Sequence, residues 1–326
     1  MKPLLMLFIW LTTASFITAC SEQQITQAPE SMHRYTDVRL VAAQLSLDAS
    51  LSALLTRGQE ISVWENQNKT LIHRWSSTDL FEPSYMLALS GNKQILATAG
   101  KQQVTLFNIV TGKLHANWSV TGFKENATIA SLSLNHTGSA VLIGLTEGTI
   151  INANLSNDTL SMFHLHSGPV TNVSFAALGE QVLSSSHDGK VLLWAASDGQ
   201  IIKEFSREFR ITSLAYDEKN RRLFYADIID NNSIVDPTNA KELSTLNYLD
   251  RYRYFRQALF VERGNTLITS SSKQSLTRWD TKTGQELSTW NITAFTPGTT
   301  VLSMALDSEG KLWTISSDAA LEEWLY

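Results

Sequence analysis

A repeat constrains this chain more than any other feature of its sequence. From about residue 34 onward, short apolar-alternating runs such as VAAQLSL (41–47), VTLFNI (104–109), VTNVSF (170–175), VLLW (191–194) and LITS (267–270) are separated by Gly, Asn, Asp and Ser. No amphipathic helical pattern interrupts them. A larger unit recurs on top of these runs: strand, aromatic, a few residues, Gly, a basic residue or Gln, strand. It is clearest at LFNIVTGKL (106–114), LLWAASDGQII (192–202) and TRWDTKTGQEL (277–287). Weaker copies are SVWENQNKTL (62–71), INANLSNDTL (151–160), IVDPTNAKEL (234–243) and LEEWLY (321–326). The aromatic position falls at Trp64, Phe107, Ala153, Trp194, Val235, Trp279 and Trp324, spaced 41 to 46 residues apart. A unit of that size cannot bury a core by itself, so neighbouring units must stack.

The stretch HSGPVTNVSFAALGEQVLSSSHDGKVLLW (166–194) resembles a WD40 repeat, and the period suits that family. The resemblance implies an all-β fold, a seven-bladed WD40-type β-propeller with four antiparallel strands per blade. After MALDS, KLWTIS and LEEWLY the sequence supplies no fourth strand for the last blade. Rings of this kind are closed by an N-terminal strand, and RYTDVRL, about Arg34–Leu40, is the expected donor; closure removes an exposed sheet edge.

Within that best copy, SSSHDGKVLLW (184–194) places Ser, His and Asp in five residues, the groups of a hydrolytic triad. A catalytic serine sits on a strained, exposed turn beside an oxyanion hole, whereas no G-x-S-x-G occurs and Ser184 lies in a strand run. The WD40 resemblance implies a structural relay instead, formed by Trp194, Ser184, His166 and Asp188, with His187 left as an exposed turn residue. Its chemistry suits burial, because indole N–H, hydroxyl, imidazole and carboxylate can satisfy one another in sequence. The sixth repeat has Trp279 but Thr269, Lys273 and Arg251 at the other relay positions. A metal site is the competing use of these histidines: His164-x-His166 with His187 offers three imidazoles, in a spacing that matches no established motif. No metal or other cofactor is assigned.

Arginine and aromatic side chains interleave at NYLDRYRYFRQALF (247–260), giving Arg251, Tyr252, Arg253, Tyr254 and Arg256, and a second pair, Arg207 and Arg210, precedes the fifth unit. The resemblance puts both junctions on one face of the ring. Arg and Tyr are enriched at interface hot spots, which makes these residues the candidate partner-binding surface. The alternative is that the aromatics are strand core and the arginines are solvated or paired with Asp250 and Glu208.

The first twenty residues, MKPLLMLFIWLTTASFITAC, have a short positive start and an apolar run of secretory length. Ile17-Thr18-Ala19-Cys20 resembles the lipobox of bacterial lipoproteins, which implies acylation of Cys20, the one cysteine of the chain. With Ser21 rather than aspartate next, the resemblance implies outer-membrane delivery. The expected organisation is a signal peptide at 1–19, a lipidated N-terminus and flexible tether at 20–33, and the propeller at 34–326. A formal net charge of −5 and export to the envelope give no support to nucleic acid as a partner. The expectation for function is a monomeric, membrane-anchored, non-catalytic scaffold that binds other envelope proteins. A propeller enzyme of lactonase or hydrolase type, with its site at the central channel, is the alternative.

Overall fold

The computed structural model describes residues 27–229, 231–248 and 253–326. It contains seven four-stranded antiparallel sheets, each formed from consecutive strands except the last. In each blade the strands run from the inside outward as a, b, c and d. Blade four, for example, comprises Val170–Ala176, Gln181–Ser186, Lys190–Ala195 and Ile201–Ser206. The inner a strands begin at Leu40, Met86, Ile129, Val170, Ile211, Phe255 and Val301, and each packs beside the next to close a ring around a channel. The antiparallel order puts the d-to-a junctions and b–c turns on one face, here the junction face, and the a–b and c–d turns on the other.

All seven repeat anchors lie on c strands in one register. Their cross-strand partners are Ser52, Leu96, Val141, Val182, Leu223, Leu267 and Leu312, always at the same position of strand b. Apolar residues fill both faces of the b and c strands, so every blade needs a neighbour on each side. The described core accordingly divides into seven clusters, one per seam between adjacent blades. Trp194, Trp279 and Trp324 are fully buried in the seams against the preceding blade. Six of the seven a strands carry a register shift near their start, which strengthens the twist that the ring requires.

The N-terminal segment closes the ring by supplying the outer strand of blade seven, but at Ser31–Arg34 and not at Arg34–Leu40. Ser31, Met32, His33 and Arg34 pair with Glu323, Glu322, Leu321 and Ala320. The difference has a local cause. Arg34 bridges to Asp37 at 2.6 Å, and Thr36 Oγ1 accepts the Val38 amide at 3.1 Å, so the chain turns there; Leu40 then opens strand a of blade one. Arg34 also donates to the Asp318 carbonyl and lies 4.2 Å from the Phe295 ring centroid, tying the closing strand to blade seven.

Glu322, directly opposite Met32, is fully buried. One carboxylate oxygen accepts the Thr293 amide at 2.8 Å, and the other has no hydrogen-bond partner. Burial therefore pushes its carboxyl up to about 7, against the opposing effect of Thr293. A carboxyl whose folded pKa exceeds its unfolded value stabilises the fold fully below about pH 4.5, and that contribution is lost as pH rises through 7. Glu322→Gln is expected to remove this slope and to raise stability above pH 7 by something on the order of 3 kcal/mol. Urea midpoints measured from pH 5 to 9 test it: parallel curves for the two proteins would show that Glu322 does not titrate in this range.

Candidate functional site

The Ser-His-Asp stretch forms a closed chain of hydrogen bonds inside blade four. Trp194 Nε1 donates to Ser184 Oγ at 3.2 Å, Ser184 Oγ lies 2.9 Å from His166 Nε2, and His166 Nδ1 lies 3.0 Å from Asp188 Oδ2. Burial lowers the His166 pKa below its ordinary value, with Asp188 opposing. The ring is thus neutral at pH 7, accepting from the serine and donating to the carboxylate. Burial also opposes ionisation of Asp188, but the Ser167 and Lys190 amides and His166 outweigh it and hold the carboxyl below the usual range. Ser184 is fully buried, so its hydroxyl cannot meet a substrate in this arrangement. His187 is exposed in the turn and lies outside the chain of bonds. The three imidazoles do not converge either: His164 bonds Thr149 while His166 is committed to the relay, and no group of three metal-ligating side chains gathers among the described residues.

Parts of this device recur where the sequence gives little sign of it. Trp279 donates to Thr269 at 2.8 Å and Trp324 to Thr314 at 3.0 Å, in the place of the Trp194–Ser184 bond. The role of Asp188, bridging a b–c turn to the junction loop before its own blade, is repeated by other carboxylates. Glu147 accepts the Phe123 and Lys124 amides at 2.6 and 2.9 Å and the Thr149 hydroxyl at 3.0 Å. Asp318 accepts the Phe295 and Thr296 amides at 2.8 and 2.9 Å and two threonine hydroxyls. Burial disfavours its charge, yet these bonds draw its carboxyl down to about 2. In blade two the direction reverses: Glu82, in the junction loop, takes the Gln102 and Gln103 amides of the turn.

The arginine–aromatic junctions are different from the expected surface. Arg253 is only 8% exposed; it pairs with Glu286 at 2.8 Å, donates to Thr277 at 2.6 Å and covers the Trp279 ring. Arg207 bonds Ser233, sits 3.9 Å from Glu242 and stacks 4.7 Å from the Tyr225 centroid. Both are clamps to carboxylates on d-strand segments, Glu242 and Glu286, while Asp250 lies outside the described residues. Arg210 and Arg256 are exposed, Arg256 at the register shift of its a strand and 6.0 Å from the half-buried Tyr254. Arg251, Tyr252 and Cys20 lie outside the described residues.

The junction face instead displays aromatic residues that the sequence reasoning passed over. Phe81, Tyr85, Phe123, Phe209 and Phe295 are exposed, each in a different junction loop except the first two. Their signal was an aromatic amid polar loop residues, as in TGFKEN (121–126) and TAFTPG (293–298). Phe123, 67% exposed, and Phe295, 43% exposed, are held at their own backbone amides by the buried Glu147 and Asp318.

Comparison with known proteins agrees with this geometry. Residues 157–195, centred on blade four, match the family described as WD domain, G-beta repeat. The whole chain superposes on a chain of the crystal structure of the mitotic checkpoint complex with a TM-score of 0.76 at 14% identity, covering 99% of each. No curated protein matches it in sequence. His166→Ala leaves the Ser184 hydroxyl and the Asp188 carboxylate each short of a buried partner, so a loss of about 1–3 kcal/mol in chemical denaturation is expected; an unchanged midpoint would remove the relay from the list of what holds blade four. The chain carries a WD40 repeat in blade four and folds as a seven-bladed WD40-type β-propeller.

Proposed function

We propose that this protein is a non-catalytic protein–protein interaction scaffold of the bacterial cell envelope, anchored by a lipid on Cys20 and facing the periplasm from the outer membrane. Propellers of the WD40 type bind other proteins, and the superposed checkpoint chain comes from a multi-protein complex. The observation that carries the reading to this chain is the treatment of Phe123 and Phe295. Exposed phenylalanines on loose loops would fold back or cost ordering on binding. Here buried carboxylates fix the backbone of each, so the rings are presented already ordered, as interface anchors need. The lipid anchor rests on the resemblance of Ile17–Cys20 to a lipobox. No described helix is long and apolar enough to cross a membrane. From Cys20 to the start of the closing strand at Ser31, the chain can span about 35 Å.

Substituting Phe123→Ser together with Phe295→Ser removes two largely exposed rings and, at Phe295, the contact with Arg34, so a stability loss of about 1 kcal/mol is expected. The same variant should bind the partners crosslinked to the wild type in cells about tenfold more weakly. Recovery of an unchanged partner set by the double variant would exclude this face. For the anchor, Cys20→Ala is expected to release the protein into the soluble periplasmic fraction or leave it unprocessed; acylated, membrane-bound Cys20→Ala protein would disprove lipidation at that residue.

A further inference from the structure

A second site lies on the opposite face, at the end of the central channel. The a strands and a–b turns of blades one to four, with one residue of blade five, enclose a hollow of about 640 Å³, within the range of volumes that hold ligands. Its floor is apolar, with Leu89, Leu132 and Phe175, and its rim carries Leu47 and Leu178. These two leucines are the most exposed large apolar residues described, Leu47 at 83% and Leu178 completely. The other a–b turns carry polar tips, among them Lys93, Thr137, Lys219, Arg263 and Glu309. Leucine at a turn tip is therefore confined to the two turns that flank the hollow.

Leu178 is also held in a backbone conformation that disfavours it. Its φ of 55° and ψ of 24° lie in the left-handed region, where a Cβ crowds the following carbonyl and glycine is the usual residue. The turn is locked there by the Ala177 amide, which donates to Glu218 Oε2 of the next blade at 2.9 Å, and by the Glu180 amide on the Ala177 carbonyl. Nothing in the fold needs the leucyl side chain at this position, since it contacts solvent. The matching turn of blade six has the same left-handed backbone at Arg263, so the feature peculiar to blade four is the exposed leucyl side chain beside the hollow and not the turn itself. The lining has one carboxylate, Glu218, together with His136, and it has neither lysine nor arginine.

We infer that this hollow binds an apolar peptide segment of a partner protein that carries a lysine or arginine, with Leu47 and Leu178 gripping the aliphatic side chains and Glu218 pairing with the cation. Together with the junction face, it would let one ring hold two proteins at once.

The test places a photoreactive amino acid at position 178, and separately at 47, of the full chain in cells, and identifies the crosslinked segment by mass spectrometry. Both positions are expected to reach one segment of one partner, rich in aliphatic residues and containing Lys or Arg. Glu218→Gln keeps the acceptor for the Ala177 amide but removes the charge, and should reduce the adduct severalfold. Leu178→Gly relaxes the turn, so it should melt at or above the wild-type temperature while losing the adduct formed from position 47. The Phe123→Ser, Phe295→Ser variant should keep that adduct, so failure of the junction face and failure of this site are separable. Adducts to lipid, to a second copy of this chain or to segments without a cation would overturn the assignment, as would no adduct at either position. Retention of the position-47 adduct in Leu178→Gly would also overturn it.

Discussion

A sheet that is apolar on both faces cannot stand alone, and every blade of this ring is such a sheet. The seams between blades are therefore the constraint on which the rest depends. Seven apolar clusters, each drawn from two neighbouring blades, hold the ring, and no blade has a core of its own. Six of these seams join blades that follow one another in the chain. The seventh, where Leu40, Ala43, Leu45 and Leu54 meet Ala305, Ile315 and Leu321, unites the first blade with the last. The four-residue strand Ser31–Arg34 completes the blade on one side of that seam.

Polar groups at the ends of the blades are handled by a small set of devices. An indole donates to a serine or threonine hydroxyl in blades four, six and seven. A carboxylate ties turn to junction loop in blades two, three, four and seven. Among the described residues, only blade four joins the two through a histidine into one continuous relay. In blades five and six an arginine is added at this end: Arg207 lies over Tyr225, and Arg253 over the same Trp279 whose indole bonds Thr269, each arginine tied to a glutamate. These carboxylate ties and arginine clamps stiffen the junction face on which the exposed aromatic rings sit.

Much of the fold was legible because the c-strand anchor keeps its place even when its residue changes. Ala153 and Val235 occupy the position of Trp194 in register with no aromatic ring to mark them. The relay was legible for a different reason: its partners are side chains with a recognisable spacing. Glu147 and Asp318 do the work of Asp188 but bond backbone amides in loops of other lengths, and an amide leaves no trace in sequence. Arg207 and Arg253 were misjudged because their glutamates lie 35 and 33 residues away, a pairing only the d strand makes local. The closing strand was displaced by three residues, since the Arg34–Asp37 bridge turns a stretch that reads as extended.

The closing strand also dictates when the molecule can become itself. Ser31 and Glu323 share a hydrogen bond across 292 residues of chain. This strand comes first in the ring's sequence and its partner last, so their pairing must close a loop that contains six whole blades. Contacts of such long range form slowly. Until Ala320–Trp324 arrives, both that strand and the edge it will cover remain open to other extended chains. The ring has no partially built form that is free of exposed edges, so its assembly is complete only when its two ends meet.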